Sequence, residues 1–337
     1  MTIPGCGGIA VTVARLSLVV AVSVLAPSLA AEAQPAGKIA RVGVLASSTE
    51  ANFAPSVTVF REALQEAGWV EGKNLTLDVR YPGEQYGRLP DLATELVGLK
   101  VDVLASLGTP ATLAAKRATT TIPIVMESLS DVVRIGLVQN LARPEGNVTG
   151  VSGFAPELSG KRLELIRELF PRAKRISVLA NRANPVAAPI LRATELAGQR
   201  LGMKLHVVDV QNPAELEPAF ETMRREQTDA LVLVADPLLF SERVLIIQLA
   251  ARHRVPAVYE TRLFPEGGGL LSYGPLAQER FQRMAVYVDR ILRGARPREL
   301  PIEQPTKFEL VINLKTAKAL GLTIPPPLLQ RADQVIE

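Results

Sequence analysis

Few side chains in this sequence are spaced for reactive chemistry, and many are spaced for hydrogen bonding. The two histidines stand apart, His206 in an alternating apolar run and His253 inside Arg252-His253-Arg254. Neither has a second ligand at metal-site spacing or a partner for general-base work. The one cysteine, Cys6, precedes the first long apolar stretch, so no thiol nucleophile, disulfide or cysteine metal site is expected in the folded portion. No G-x-G-x-x-G follows the first apolar run, no Walker loop or G-x-S-x-G elbow occurs, and Gly267-Gly268-Gly269 precedes a strand instead of following one. The inventory points away from an enzyme, a metal or a cofactor. What recurs is a polar group at the end of a short apolar run: Ser47, Ser48 and Thr49, then Gly108 and Thr109, then Asn181, Asp236 and Tyr259, with Tyr273 in a later short run. Hydroxyls and helix-start N–H groups receive a carboxylate, an aspartate pairs with an ammonium, and a tyrosine covers an apolar part, which together suit a small zwitterion such as an amino acid.

The elements that carry these groups alternate short buried strands with amphipathic helices, the pattern of doubly wound α/β architecture. Val101 to Val125 shows the unit most clearly. An apolar run ends at Leu107, Gly108-Thr109-Pro110 turns the chain, Ala111 to Ala118 reads as a helix, and Ile122 to Val125 as the next strand. In a parallel sheet such a loop sits at the carboxyl edge, where open α/β sheets bind ligands. The alternation begins at Ile39 to Leu45, pauses at Arg143-Pro144-Glu145-Gly146, and restarts with helix Glu157 to Phe170. Further helices are expected at Val186 to Leu201, Ala214 to Arg225, Phe240 to His253 and Leu276 to Leu292, with Pro325-Pro326-Pro327 as a stiff terminal spacer. Crossings between two lobes are expected at Asn147 to Gly153 and at Gly267 to Gly274. The expected division is residues 38–150 with part of 275–300 as the N-terminal lobe, 151–272 as the C-terminal lobe, and 300–337 as a last crossing and C-terminal segment of unassigned lobe.

The chain's 337 residues are enough for two cores, with 47% hydrophobic and 21% charged residues. A net charge of +4 with no basic stripe gives nucleic acid nothing to hold. Leu16 to Leu25 is almost wholly apolar, follows Arg15, and leads to Ala31-Glu32-Ala33, the small-x-small pattern of a processing site. Residues 1–33 therefore read as a signal peptide cleaved near Ala33, and the mature protein as periplasmic.

Several longer stretches carry a resemblance. Glu66-Ala67-Gly68-Trp69-Val70-Glu71-Gly72-Lys73-Asn74-Leu75, Leu141-Ala142-Arg143-Pro144-Glu145-Gly146-Asn147-Val148-Thr149-Gly150, Lys161-Arg162-Leu163-Glu164-Leu165 and Gly268-Gly269-Leu270-Leu271-Ser272-Tyr273-Gly274 are among them, with Lys307 to Ala317. In these the chain resembles the substrate-binding proteins of ABC importers, the family that includes the tryptophan-binding type. It departs from the family's usual pattern at Glu145, where a second Gly is usual, at Val132, where a Pro is usual, and at Trp69, where a Tyr is usual. The resemblance implies two Rossmann-like lobes joined by hinge strands, as in type I periplasmic binding proteins, a ligand held in the cleft, a monomer, and delivery to a membrane permease. An exported α/β enzyme and the ligand-sensing half of a signalling system remain the alternatives.

Overall fold

The computed structural model describes residues 39–83, 85–153, 155–184 and 186–337; the expected signal segment, 1–33, lies outside them. The first lobe is built from β1 (Ala40–Ala46), α1 (Glu50–Glu66), β2 (Leu75–Arg80), α2 (Leu89–Gly98), β3 (Val103–Leu107), α3 (Thr109–Ala118), β4 (Ile124–Ser128) and β5 (Val148–Ser152). Its five strands lie in the order β2-β1-β3-β4-β5, all parallel. Every residue of β3, β4 and β5 is buried, as expected of strands covered on both faces, whereas β2 at the edge alternates.

The second lobe takes α4 (Ala155–Leu169), β6 (Arg175–Ala180), α5 (Ala187–Arg200), β7 (Lys204–Asp209), α6 (Leu216–Arg225), β8 (Ala230–Leu233), α7 (Pro237–Ser241), α8 (Arg243–Arg252), β9 (Ala257–Tyr259), α9 (Leu263–Glu266) and β10 (Leu271–Pro275). The chain then returns to the first lobe as α10 (Ala277–Leu292), whose Phe281, Met284, Ala285 and Val288 join the core of β1 and β3. It crosses back to add β11 (Phe308–Asn313), α11 (Leu314–Leu320), α12 (Pro326–Gln330) and β12 (Gln334–Ile336) to the second sheet. That sheet runs β12-β11-β10-β9-β8-β6-β7, with β10 and β11 its antiparallel pair.

Three crossings therefore join the lobes: after β5, between β10 and α10, and through residues 293–307. The first and third are zipped together, with Ser152 N–H donating to the Glu303 carbonyl at 2.8 Å and Glu303 N–H to the Gly150 carbonyl at 3.0 Å. Glycine is required beside this seam. Gly150 has φ +129°, and a Cβ there would stand 2.3 Å from the Met126 carbonyl oxygen, so β5 packs against β4 only without a side chain.

Three readings are corrected here, and one strand was not foreseen. The helix expected over Phe240 to His253 is broken at Glu242 and starts earlier, because Asp236 caps Pro237 and the Ser241 hydroxyl bonds back to the Pro237 carbonyl at 2.8 Å. Pro326 and Pro327 open a short helix, a position where the missing N–H costs nothing, instead of forming a spacer. The Gly267-Gly268-Gly269 turn stays inside the second lobe, and the second crossing comes after it, at Pro275 and Leu276. The strand Gln334–Ile336 had no periodic signal, being three residues long.

Candidate functional site

The carboxyl ends of the parallel strands of the two sheets face each other across a cavity of about 240 Å³. From the first lobe its walls take Asn52 and Phe53 of α1, Gly108 and Thr109 at the start of α3, Glu127 and Ser130 at the end of β4, and Arg280 and Phe281 of α10. The second lobe contributes Leu158 and Arg162 of α4, Asn184, Val186 and Ile190 around α5, Asp236, Phe240 and Glu260. Apolar side chains make most of the surface, and the charged groups in the wall are Glu127, Arg162, Asp236, Arg243, Glu260 and Arg280.

The lobes touch along one side of this cavity. Ser48 Oγ and Ser241 Oγ are 2.6 Å apart, and Asn52 Nδ2 donates to Ser241 Oγ at 2.8 Å. Arg243 donates to Asn52 Oδ1 at 2.6 Å while its guanidinium lies over the Phe240 ring. Tyr86 packs between the cores of both lobes, and its hydroxyl accepts the Leu238 N–H at 2.8 Å. The arrangement is a closed cleft.

The residues singled out by sequence separate into three groups. Gly108, Thr109 and Asp236 line the cavity. Ser47, Ser48, Thr49 and Asn181 stand close behind it: Ser47 Oγ donates to the Leu107 carbonyl and accepts the Ala111 N–H, Ser48 bridges the lobes, Thr49 accepts from Asn52 Nδ2, and Asn181 accepts the Ala183 N–H. Tyr259 and Tyr273 are elsewhere. Tyr259 is fully buried and stacked on Phe264 at 4.3 Å, and Tyr273 packs on Phe308 and the core of the second lobe. The start of α3 is largely spent as an anion site, because the N–H groups of Gly108, Ala111 and Thr112 already reach the Glu127 carbonyl, Ser47 Oγ and the Gly108 carbonyl, and Pro110 has none. Thr109 keeps its hydroxyl in a cluster with Ser128 and Ser130, at 2.7 and 2.9 Å.

Asp236 is both the helix cap and a cavity residue. Its Oδ1 accepts the N–H of Leu238 at 2.8 Å and of Leu239 at 3.3 Å, and its Oδ2 accepts from Asn184 Nδ2 at 2.7 Å. Burial raises its carboxyl above the usual range, and these donors hold the rise down.

Four buried charges were not foreseen: Glu127, Arg162, Glu260 and Arg280. Arg280 pairs with Glu127 from β4, and burial lowers the arginine to about 10. Arg280 Nε, however, has no acceptor among the described residues. Arg162 is 2% exposed and donates from Nε to the Tyr273 carbonyl at 2.9 Å; burial lowers it to about 10, against the pull of Glu260. Burial pushes Glu260 up to about 7, with Arg162 opposing, and its Oε2 has no donor among the described residues. A signal for the arginines was present: Arg162 stands four residues after Leu158 and four before Ile166, and Arg280 three after Ala277 and four before Met284. A charge on the apolar face of a helix is exceptional unless something holds it.

His253 lies with Glu217 and Glu221, its Nε2 3.9 Å from each, a grouping that tertiary packing of α6 on α8 creates and spacing could not show. Arg252 and Arg224 already engage the two carboxylates.

The model of a family described as "ABC transporter substrate binding protein" matches residues 38–336. The chain belongs to that family. A tyrosine-binding protein of Clostridioides difficile (strain R20291) is 25% identical over 263 residues, 78% of this chain and 75% of that one. A conserved domain protein from Vibrio cholerae O1 biovar El Tor superimposes with a TM-score of 0.84 at 30% identity, over 88% of this chain and all of the other. A Streptococcus pneumoniae ABC domain in complex with L-Trp gives 0.82 at 24% identity, over 88% of this chain and 99% of the other. As a substrate-binding protein of this family, the chain has two α/β lobes and a cleft between them, and two of its departures from the usual pattern, Glu145 and Val132, lie in contrasting surroundings. Glu145 sits at φ +46°, the left-handed region where glycine is at ease, and Val132 is wholly buried in the first lobe's core.

Proposed function

We propose that this chain is the extracytoplasmic capture component of an ABC importer, and that it holds an α-amino acid with a large apolar side chain between its lobes before presenting the closed form to a membrane permease. The observation that carries the reading is the cavity's pairing of buried opposite charges with apolar walls. Arg162, Arg280 and Arg243 face Glu127, Asp236 and Glu260, so the site is close to neutral, while Phe53, Leu158, Ile190, Phe240 and Phe281 leave room for apolar bulk. A net anion or cation would leave one of these buried charges without compensation, whereas a zwitterion satisfies both signs. The tyrosine named for one relative and the L-Trp bound to another are ligands of that kind. The expected small polar molecule is thereby narrowed to one with a polar head and an apolar body.

Capture requires that the cleft open and close about the three crossings, and that the permease distinguish the two shapes. Export by the segment 1–33, a periplasmic location and a monomeric state belong to the same proposal. No helix of the described residues is long and apolar enough to cross a membrane.

A thermal-shift screen of ligand-depleted protein against the common amino acids tests the reading. Aromatic and large aliphatic amino acids should stabilise the protein, by about 2.7 kcal/mol at one hundred times the dissociation constant. Mass spectrometry should recover the ligand unchanged. Stabilisation by none of them, or conversion of any, would overturn the proposal.

A further inference from the structure

Two carboxylates reach the cavity from the second lobe, and they differ in what they have left to offer. Asp236 has given its oxygens to Leu238, Leu239 and Asn184. Glu260, 6% exposed, has an Oε2 that accepts nothing from the described residues. The charge it feels most strongly is that of Arg162, whose Nε donates to the Tyr273 carbonyl and whose other nitrogens have no acceptor among the described residues. The backbone that presents Glu260 is fixed: a Cβ on Gly274 would stand 1.8 Å from the Glu260 carbonyl oxygen, so β10 lies directly against it.

An α-amino acid carries its ammonium and carboxylate on one carbon. A carboxyl and a guanidinium side by side in a cavity wall form the matching pair. Resting on the functional reading above, we propose that Arg162 and Glu260 receive the two head groups of the ligand, and that Glu260 gives up a proton to solvent when the ammonium binds. This assigns the ammonium to Glu260 in place of Asp236, which the sequence had suggested, and the carboxylate to Arg162 in place of the α3 start.

The proton balance follows from the empty site. Burial holds Glu260 at about 7, so near neutrality a large share of molecules carry a neutral carboxyl there. The groups facing it are Arg162 from α4, Asp236 from the turn after β8 and Tyr259 beside it, with Arg280 and Glu127 paired across the cavity. Of these, Arg162 and Arg280 stay charged below pH 8, each at about 10. An ammonium against Glu260 favours the carboxylate, and the neutral fraction must then lose its proton.

Calorimetry of L-phenylalanine, L-tyrosine and L-tryptophan on the mature chain, in phosphate and in imidazole, counts the protons released. From a free value of about 7, release should be about 0.8 proton per ligand at pH 6.5 and about 0.1 at pH 8, and the dissociation constant should weaken roughly eightfold from pH 7.5 to pH 6. Glu260→Gln should release none and lose the pH dependence. The analogue 3-phenylpropionate, which lacks the ammonium, should release none from the wild type. Binding of any of the three amino acids without proton release at pH 6.5, or with the same release in Glu260→Gln, would overturn this assignment and leave the amino-acid reading standing. Failure of every amino acid to bind would overturn both.

Discussion

Asp236 gives the most discriminating test of how the second lobe holds its own side chains, and Asp236→Asn is the perturbation to make. On helix capping alone the change is mild, since asparagine caps as well as aspartate and its Oδ1 can still accept from Leu238 and Leu239. The other oxygen decides the outcome. Asp236 Oδ2 accepts from Asn184 Nδ2 at 2.7 Å, so the variant would aim one amide nitrogen at another. Asn184 cannot simply flip, because its Oδ1 already accepts the Val186 N–H at 3.2 Å. Asn184 is 3% exposed and Asp236 5%, so the orphaned donor is shielded from bulk water. A buried donor left unsatisfied costs about 1–3 kcal/mol, and that is the expected loss in thermal unfolding followed by far-ultraviolet circular dichroism. The exchange Asp236→Asn with Asn184→Asp restores one donor facing one acceptor and should recover most of it, with a coupling of about 1 kcal/mol or more. A single variant within about 0.5 kcal/mol of wild type would refute the reasoning and show that the pair does not depend on this donor and acceptor match.

Glu260 makes stability depend on pH. Its folded value of about 7 lies above the ordinary 4.5, so the stability it lends is fully present below 4.5 and is lost as pH rises through 7. At about 1.36 kcal/mol per unit, ligand-free Glu260→Gln should be more stable than wild type by roughly 3 kcal/mol at pH 8 and no more stable at pH 4, measured by denaturant titration. Arg280→Met strands the Glu127 carboxylate in the interior and should cost about 3–5 kcal/mol, most of which a second change, Glu127→Leu, should return; an additive double variant would refute the pairing. Asn52→Ala removes bonds to Ser241 and Arg243 across the cleft and should enlarge the radius of gyration of the ligand-free protein in small-angle scattering, with an unchanged radius counting against a latch there.

The fold was legible because both sheets obey local rules. Buried parallel strands such as Ala230–Leu233 read as unbroken apolar runs, and polar groups gather at their carboxyl ends wherever the chain turns into a helix. That rule located Gly108, Thr109 and Asp236 on the cavity. It failed for Tyr259, because a strand end also marks the way into the core, and only packing decides that the ring stacks on Phe264. It could not find Arg162 or Arg280, which reach the cavity from helix faces rather than strand ends. Their visible mark was a charge on an apolar stripe. Glu260 followed its strand in plain view, but its value to a ligand depends on Arg162, 98 positions away in the chain, and on a glycine that lets β10 close against it.

Trp69 is the single tryptophan of the chain, and it stands outside the cavity walls, where Nε1 donates to Asp289 of α10 at 2.9 Å and the Arg293 guanidinium lies 5.8 Å from the ring centroid. Its emission is therefore a label for the first lobe alone. When the protein is heated or titrated with denaturant, fluorescence follows the seam between α1 and α10 while dichroism averages both lobes, and the gap between the two curves measures whether the lobes unfold together. An indole ligand in the cavity would contribute a second, separate emission. Trp69 then serves as the internal standard against which that signal is read.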